Sequence, residues 1–174
     1  MTSRARPTSA FREPSSLIPL RWGDPATRLW AAGWLTIGGG AVIAGSNDVA
    51  LWALAMGAAA HAVGWWVAPS AGWRRLVALP LSMLGSFLLL AGPRFTFVLA
   101  IPYLCWLLVR HRPAITTLTV IPVIAVAVIT GGMFEHDYSR MLPAVAAVFA
   151  TMVLCAWLAG LMARLIGERR ARLG

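Results

Sequence analysis

Glu135, His136 and Asp137 stand side by side in the decapeptide GGMFEHDYSR, residues 131–140, between two long apolar runs. A carboxylic acid, an imidazole and a second carboxylate are the groups used for general acid–base chemistry. Asp48, in the sequence GSNDVA, is the carboxylate with which they could be combined. Three consecutive residues of a turn point in three directions, however, and no GxSG, HExxH or NDxxD spacing accompanies them. Asp137 or Ser139 is also well suited to cap the helix that the following apolar run must form. The expectation is therefore a solvated capping turn with no catalytic residue. The alternative is a membrane enzyme acting on a lipid-linked substrate through Asp48, Glu135, His136 and Asp137.

Inside the apolar runs the chemistry is sparse. His61 is the one titratable group there besides thiols and phenols. A metal or haem would need a second ligand at a recognised spacing, and Cys105 and Cys155 provide none, so neither cofactor nor metal is expected. A histidine in lipid is expected to find hydrogen-bond partners on neighbouring helices. Pro102 and Pro122 fall in mid-run, where they should kink the helices and free carbonyl groups. With His61, Tyr103, Thr117 and Thr119 they outline a neutral cavity suited to an uncharged or amphipathic ligand.

These residues must be positioned by elements made for lipid. The chain has 174 residues, 59% hydrophobic and 12% charged, about half the charged share of an average soluble domain. Six charge-free runs cover residues 29–47, 49–73, 76–93, 95–109, 113–134 and 141–163. About 20 helical residues cross a hydrocarbon core of roughly 30 Å, so five runs are adequate and the 15-residue fourth run is short. The fold class is all-α, a polytopic integral membrane bundle of six transmembrane helices. Residues 1–24 form a basic, largely disordered segment with an interfacial stretch at 15–22, residues 25–166 the membrane domain, and residues 167–174 a basic tail.

All fifteen basic residues are arginine. With both termini inside, thirteen lie on the cytoplasmic side and only Arg94 and Arg140 outside, the asymmetry that sets membrane orientation. Because they cluster at run ends, the net charge of +9 reports topology and not nucleic-acid binding. Trp22, Trp30, Trp65, Trp66, Trp73 and Trp106 fall beside the inner arginines, as expected for a belt at an anionic inner leaflet. The location expected is the bacterial cytoplasmic membrane.

Small residues mark helix contacts. Thr36, Gly40 and Ala44 stand four apart in the first run, and Ala53, Gly57 and His61 do so in the second. Such faces let helix backbones approach closely, either each other or a partner membrane protein. Pro80, Pro102, Pro122 and Pro143 recur at intervals of 22, 20 and 21 residues, read as the period of a span plus its loop.

The segment DYSRMLPAV, residues 137–145, resembles the helix entry of polytopic lipid-dependent glycosyltransferases. Those enzymes carry their acidic residue in a large first outer loop, which Ser46-Asn47-Asp48 is not. Six spans in a short chain with a small-residue first helix are similar to the substrate-capturing components of energy-coupling vitamin transporters, whose first helix usually has alanines where this one has glycines. No interior carboxylate or ammonium is available for ion coupling. The function expected is non-catalytic: capture of a neutral or amphipathic small molecule, or an accessory role in a larger membrane complex.

Overall fold

The computed structural model describes residues 23–46, 50–135 and 137–173, and these are helical with no strand among them. Six α-helices follow in order: α1 Pro25–Gly45, α2 Leu51–Val67, α3 Gly72–Leu88, α4 Ala100–Val109, α5 Val120–Met133 and α6 Met141–Leu173. The interfacial stretch 15–22, Asp48 and His136 lie outside the described residues.

Helix ends follow local chemistry. The Asp24 side chain accepts the Thr27 N–H at 2.9 Å and Pro25 takes the first turn of α1. Gly92, at φ 103°, breaks the chain between α3 and α4 in a conformation that only glycine adopts freely. Three arginines finish other helices from outside. Arg28 of α1 donates to Val67 O at 2.9 Å and Arg75 of α3 to Trp66 O at 2.7 Å, both at the end of α2. Arg74 donates to Leu108 O near the end of α4 at 2.6 Å. Carbonyls at a helix C-terminus lack intrahelical partners and carry the negative end of the dipole, so these arginines satisfy and neutralise them.

The prolines behave differently from simple kinks. Pro102, Pro122 and Pro143 are each the third residue of an α-helix, and each helix is entered through a 3₁₀ segment: Pro93–Leu99, Ala114–Thr119 and Tyr138–Arg140. A proline ring clashes with the carbonyl four residues earlier, so the preceding turn tightens to 3₁₀ geometry. The entries to α4 and α5 share a sequence as well, PRFTFVLAIP at 93–102 and PAITTLTVIP at 113–122. Thr96 donates to Pro93 O at 2.9 Å and Thr116 to Pro113 O at 2.7 Å, the same bond in both. The 20-residue proline spacing here is a repeated structural unit and not only the period of a span.

The 3₁₀ entries also change length. Seven residues at about 2.0 Å and ten at about 1.5 Å extend Pro93–Val109 to about 29 Å, against about 22 Å for the 15-residue run read as α-helix. Among the described residues three helical stretches are long and apolar enough to cross a membrane: Gly72–Ala91, Ala114–Met133 and Tyr138–Arg170.

Beside a small cluster of Leu89, Val98 and Met141, two larger packed centres hold the bundle. One joins α4, α5 and α6 through Tyr103, Leu107, Val123, Ala127, Val148, Cys155 and Ala159. The other joins α1, α2, α3 and α4 through Ala32, Trp65, Ala78, Cys105 and Val109. Their outer faces are apolar too, with Trp34, Met56, Ile129 and Leu154 all exposed.

Candidate functional site

The closest helix contact is between α1 and α2. A Cβ built on Gly39 would lie 2.5 Å from His61 N and 2.6 Å from Gly57 O, and one on Gly64 would lie 2.6 Å from Thr36 N. The facing rows are therefore Ala32, Thr36, Gly39 and Ile43 against Gly57, His61 and Gly64. This differs by one residue from a strict four-residue row through Thr36, Gly40 and Ala44. A helix turns every 3.6 residues, so alternating steps of four and three stay on one face while repeated steps of four drift off it. Gly40 instead faces inward, 3.6 Å from His61 Nδ1 and 3.7 Å from Ser86 Oγ by its Cβ direction. Ala44 lies further along α1, and Ala53 is half-buried on α2.

His61 is buried where α1, α2 and α3 meet. Its Nδ1 is 2.8 Å from Thr36 O; a carbonyl can only accept, so Nδ1 carries the proton. Nε2 must then accept, and two donors reach it: Ser82 Oγ at 2.8 Å and Trp65 Nε1 at 3.1 Å. Ser86 donates to Ser82 O at 3.0 Å, and Thr36 donates to Ala32 O. Serine on imidazole, with the far nitrogen fixed by a carbonyl, is also the arrangement of a nucleophile and its base. Here Ser82 is fully buried and Trp65 occupies the same lone pair. The knot fastens three helices and offers no entry to a substrate.

The other residues of the expected cavity lie apart from His61. Tyr103 OH and Thr119 Oγ1 are hydrogen-bonded, and since Thr119 donates to Thr116 O at 2.6 Å, the phenol donates to Thr119. Both are buried against α6 side chains. Thr117 and Pro122 are exposed, and Pro102 packs with its Cδ 3.3 Å from the Cβ direction of Gly85. These six residues do not line one space. Cys105 and Cys155 are buried free thiols in different packed centres. Among the described residues no three His, Cys, Asp or Glu side chains come together.

A groove of about 480 Å³ does open one turn beyond the histidine knot. Ala41, Ala44, Gly45 and Ser46 form one wall, Leu89 and Leu90 another, and Tyr138, Ser139, Met141, Leu142 and Val145 the third. Among the described residues no charged side chain lines it. The decapeptide supplies its lip. Asp137 accepts from Ser139 N at 3.0 Å and Ser139 Oγ at 2.5 Å and pairs with Arg140 at 3.6 Å. The Ser139 hydroxyl, first among these, holds the Asp137 carboxyl below its ordinary range. Tyr138 OH donates to Ala91 O at 3.3 Å while its ring covers Gly92, whose Cβ direction lies 3.1 Å from the ring. Glu135 is exposed. Asp137 is thus committed to capping.

Sequence reading missed Ser82 and Trp65 as partners of the histidine. The available signal was Trp65 four residues after His61. The chain is helical, and among the described residues three helices are long and apolar enough to cross a bilayer. Compared with known proteins, the chain matches no family model, no curated protein sequence and no solved structure.

Proposed function

We propose that this chain is a six-span, non-catalytic membrane protein that captures a neutral, amphipathic small molecule in the groove between α1, the 3₁₀ turn Leu89–Ala91 that follows α3, and α6. The observation that carries this reading is the lining: aliphatic Leu89, Leu90, Leu142 and Val145, with the hydroxyls of Ser46, Tyr138 and Ser139 as the only polar side chains among the described residues. Its volume falls within the roughly 300–1,000 Å³ of ligand pockets, which combine apolar walls with a few orienting polar groups. Six crossings are supported by the 3₁₀ entry to α4, which brings that segment to the thickness of the hydrocarbon core. Both termini on the cytoplasmic side of a bacterial inner membrane are supported by the thirteen-to-two arginine asymmetry.

A second reading, an accessory subunit, is favoured by the free face of α1. Trp30 and Trp34 are exposed there, and Gly33 and Gly38 have nothing within 4 Å of their Cβ directions, leaving room for a partner helix.

Mass spectrometry of organic extracts of the purified protein distinguishes the two. Wild type should carry a neutral small molecule that Ala44→Trp, which fills the groove, loses, while Gly33→Ala retains it. A wild-type extract identical to that of Ala44→Trp removes the capture reading. Glu135→Ala, His136→Ala and Asp48→Ala should leave the cellular phenotype unchanged; loss of function in any of them restores the enzyme reading.

A further inference from the structure

The α2–α3 corner concentrates positive charge at one point. Arg75 and Arg28, from different helices, donate to Trp66 O and Val67 O, so their guanidinium groups sit on consecutive carbonyls. The Arg75 guanidinium has five N–H donors, and among the described residues no carboxylate pairs with it. The 17-residue helix α3 starts beside them at Gly72 with Ala71 as N-cap, no side-chain cap and no acid in its first turn. The Arg74 N–H donates to Ala71 O at 3.1 Å, which leaves those of Gly72 and Trp73, and the positive end of the dipole favours an anion there, yet the first turn holds Arg74 and Arg75. Ser70, two residues before the helix and 5% exposed, has a hydroxyl without a hydrogen-bond partner. Gly72 is exposed with nothing within 4 Å of its Cβ direction, so the backbone is open to approach.

The surroundings are apolar and outward-facing. Arg75 lies 5.8 Å from the centre of the Trp66 ring and Arg74 5.2 Å from that of Trp73, and these rings are 64% and 58% exposed. Leu76, on the same helix, is exposed as well. Amphipathic rings of this kind belong at headgroup depth.

We infer that this corner binds the phosphodiester headgroup of an anionic phospholipid. Arg75 and the N–H groups of Gly72 and Trp73 in the first turn of α3 take the phosphate oxygens, an arrangement suited to planar guanidinium and helix N-terminus alike. Trp66 and Trp73 meet the glycerol region, and Leu76 continues toward the acyl chain. A lipid is favoured over free phosphate because polar donors pass without a gap into exposed apolar surface. This inference rests on the membrane reading but not on the groove.

The test is native mass spectrometry of the full chain in neutral detergent with equal amounts of phosphatidylglycerol and phosphatidylcholine. Wild type should retain one phosphatidylglycerol in preference, and Arg75→Gln should reduce that preference about fivefold, the worth of roughly one guanidinium at an anionic surface. Gly72→Asp guards against a folding failure: an acid in the first turn suits the helix dipole and the position is open, yet it repels phosphate. It should keep the melting temperature and lose the preference, while Arg94→Gln, outside this corner, changes neither. Equal retention of both lipids by wild type overturns the assignment, as does a Gly72→Asp protein that still selects phosphatidylglycerol. Displacement by an equal amount of inorganic phosphate also overturns it, in favour of a soluble anion.

Discussion

Replacing Gly39 by alanine tests the contact on which the histidine knot depends. The new Cβ would start 2.5 Å from His61 N and 2.9 Å from His61 Cα, both backbone atoms, where ordinary contact begins near 3.4 Å. The helices must therefore separate by about 0.9 Å locally, because backbone cannot rotate away as a side chain can. That displacement lengthens the Nδ1–H bond to Thr36 O from 2.8 Å beyond useful range. Overpacking costs about 1–3 kcal/mol, and a buried interhelical hydrogen bond in a membrane averages about 0.6 kcal/mol. A loss of about 2–4 kcal/mol follows, an order-of-magnitude sum of the two terms. Gly38→Ala is the matched control: its neighbour position has nothing within 4 Å, and the change should be neutral or slightly stabilising through helix propensity. Steric-trap unfolding in bicelles measures both variants on one scale. Equal stabilities for Gly39→Ala and Gly38→Ala would show that α1 and α2 do not meet through Gly39.

Tyr103→Phe keeps the ring in the packed centre of α4, α5 and α6 but removes the phenol bond to Thr119, and the same unfolding assay should show a loss of about 1 kcal/mol. In the loop after α4, desolvation first and the Arg74 charge second hold His111 below its ordinary pKa of 6.5. The folded state resists protonation that the unfolded chain accepts, so stability should be full above that value and fall as pH drops through it; His111→Gln should flatten this stretch of the pH–stability curve.

Helix boundaries were readable where one residue type has one physical use. Asp24-Pro25 begins α1 and Gly92-Pro93 separates α3 from α4, as cap and turn chemistry requires. The interior was less readable because its signals are relational. Nothing in the position of Ser82, 21 residues after His61, assigns it to the histidine; only the packing of three helices does. The Thr36–Gly40–Ala44 row was displaced to Gly39 because helical periodicity is not four. The six residues expected around one cavity were separated because mid-run prolines were taken as kinks; each instead lies just inside an α-helix entered through a 3₁₀ turn. The arginines were legible as a charge asymmetry, but their contacts with carbonyls of α2 and α4 depend on tertiary approach. The groove had no sequence signature, being lined by ordinary aliphatic and small residues from three distant segments.

The ring of Tyr138 resting on Gly92 couples two connections that the chain separates by more than forty residues. Any side chain at position 92 would meet that ring in an already unfavourable backbone conformation, so the two sites can change only as a pair. The clasp makes the α3–α4 corner and the start of α6 a single mechanical rim, whose opening would let both turns swing at once.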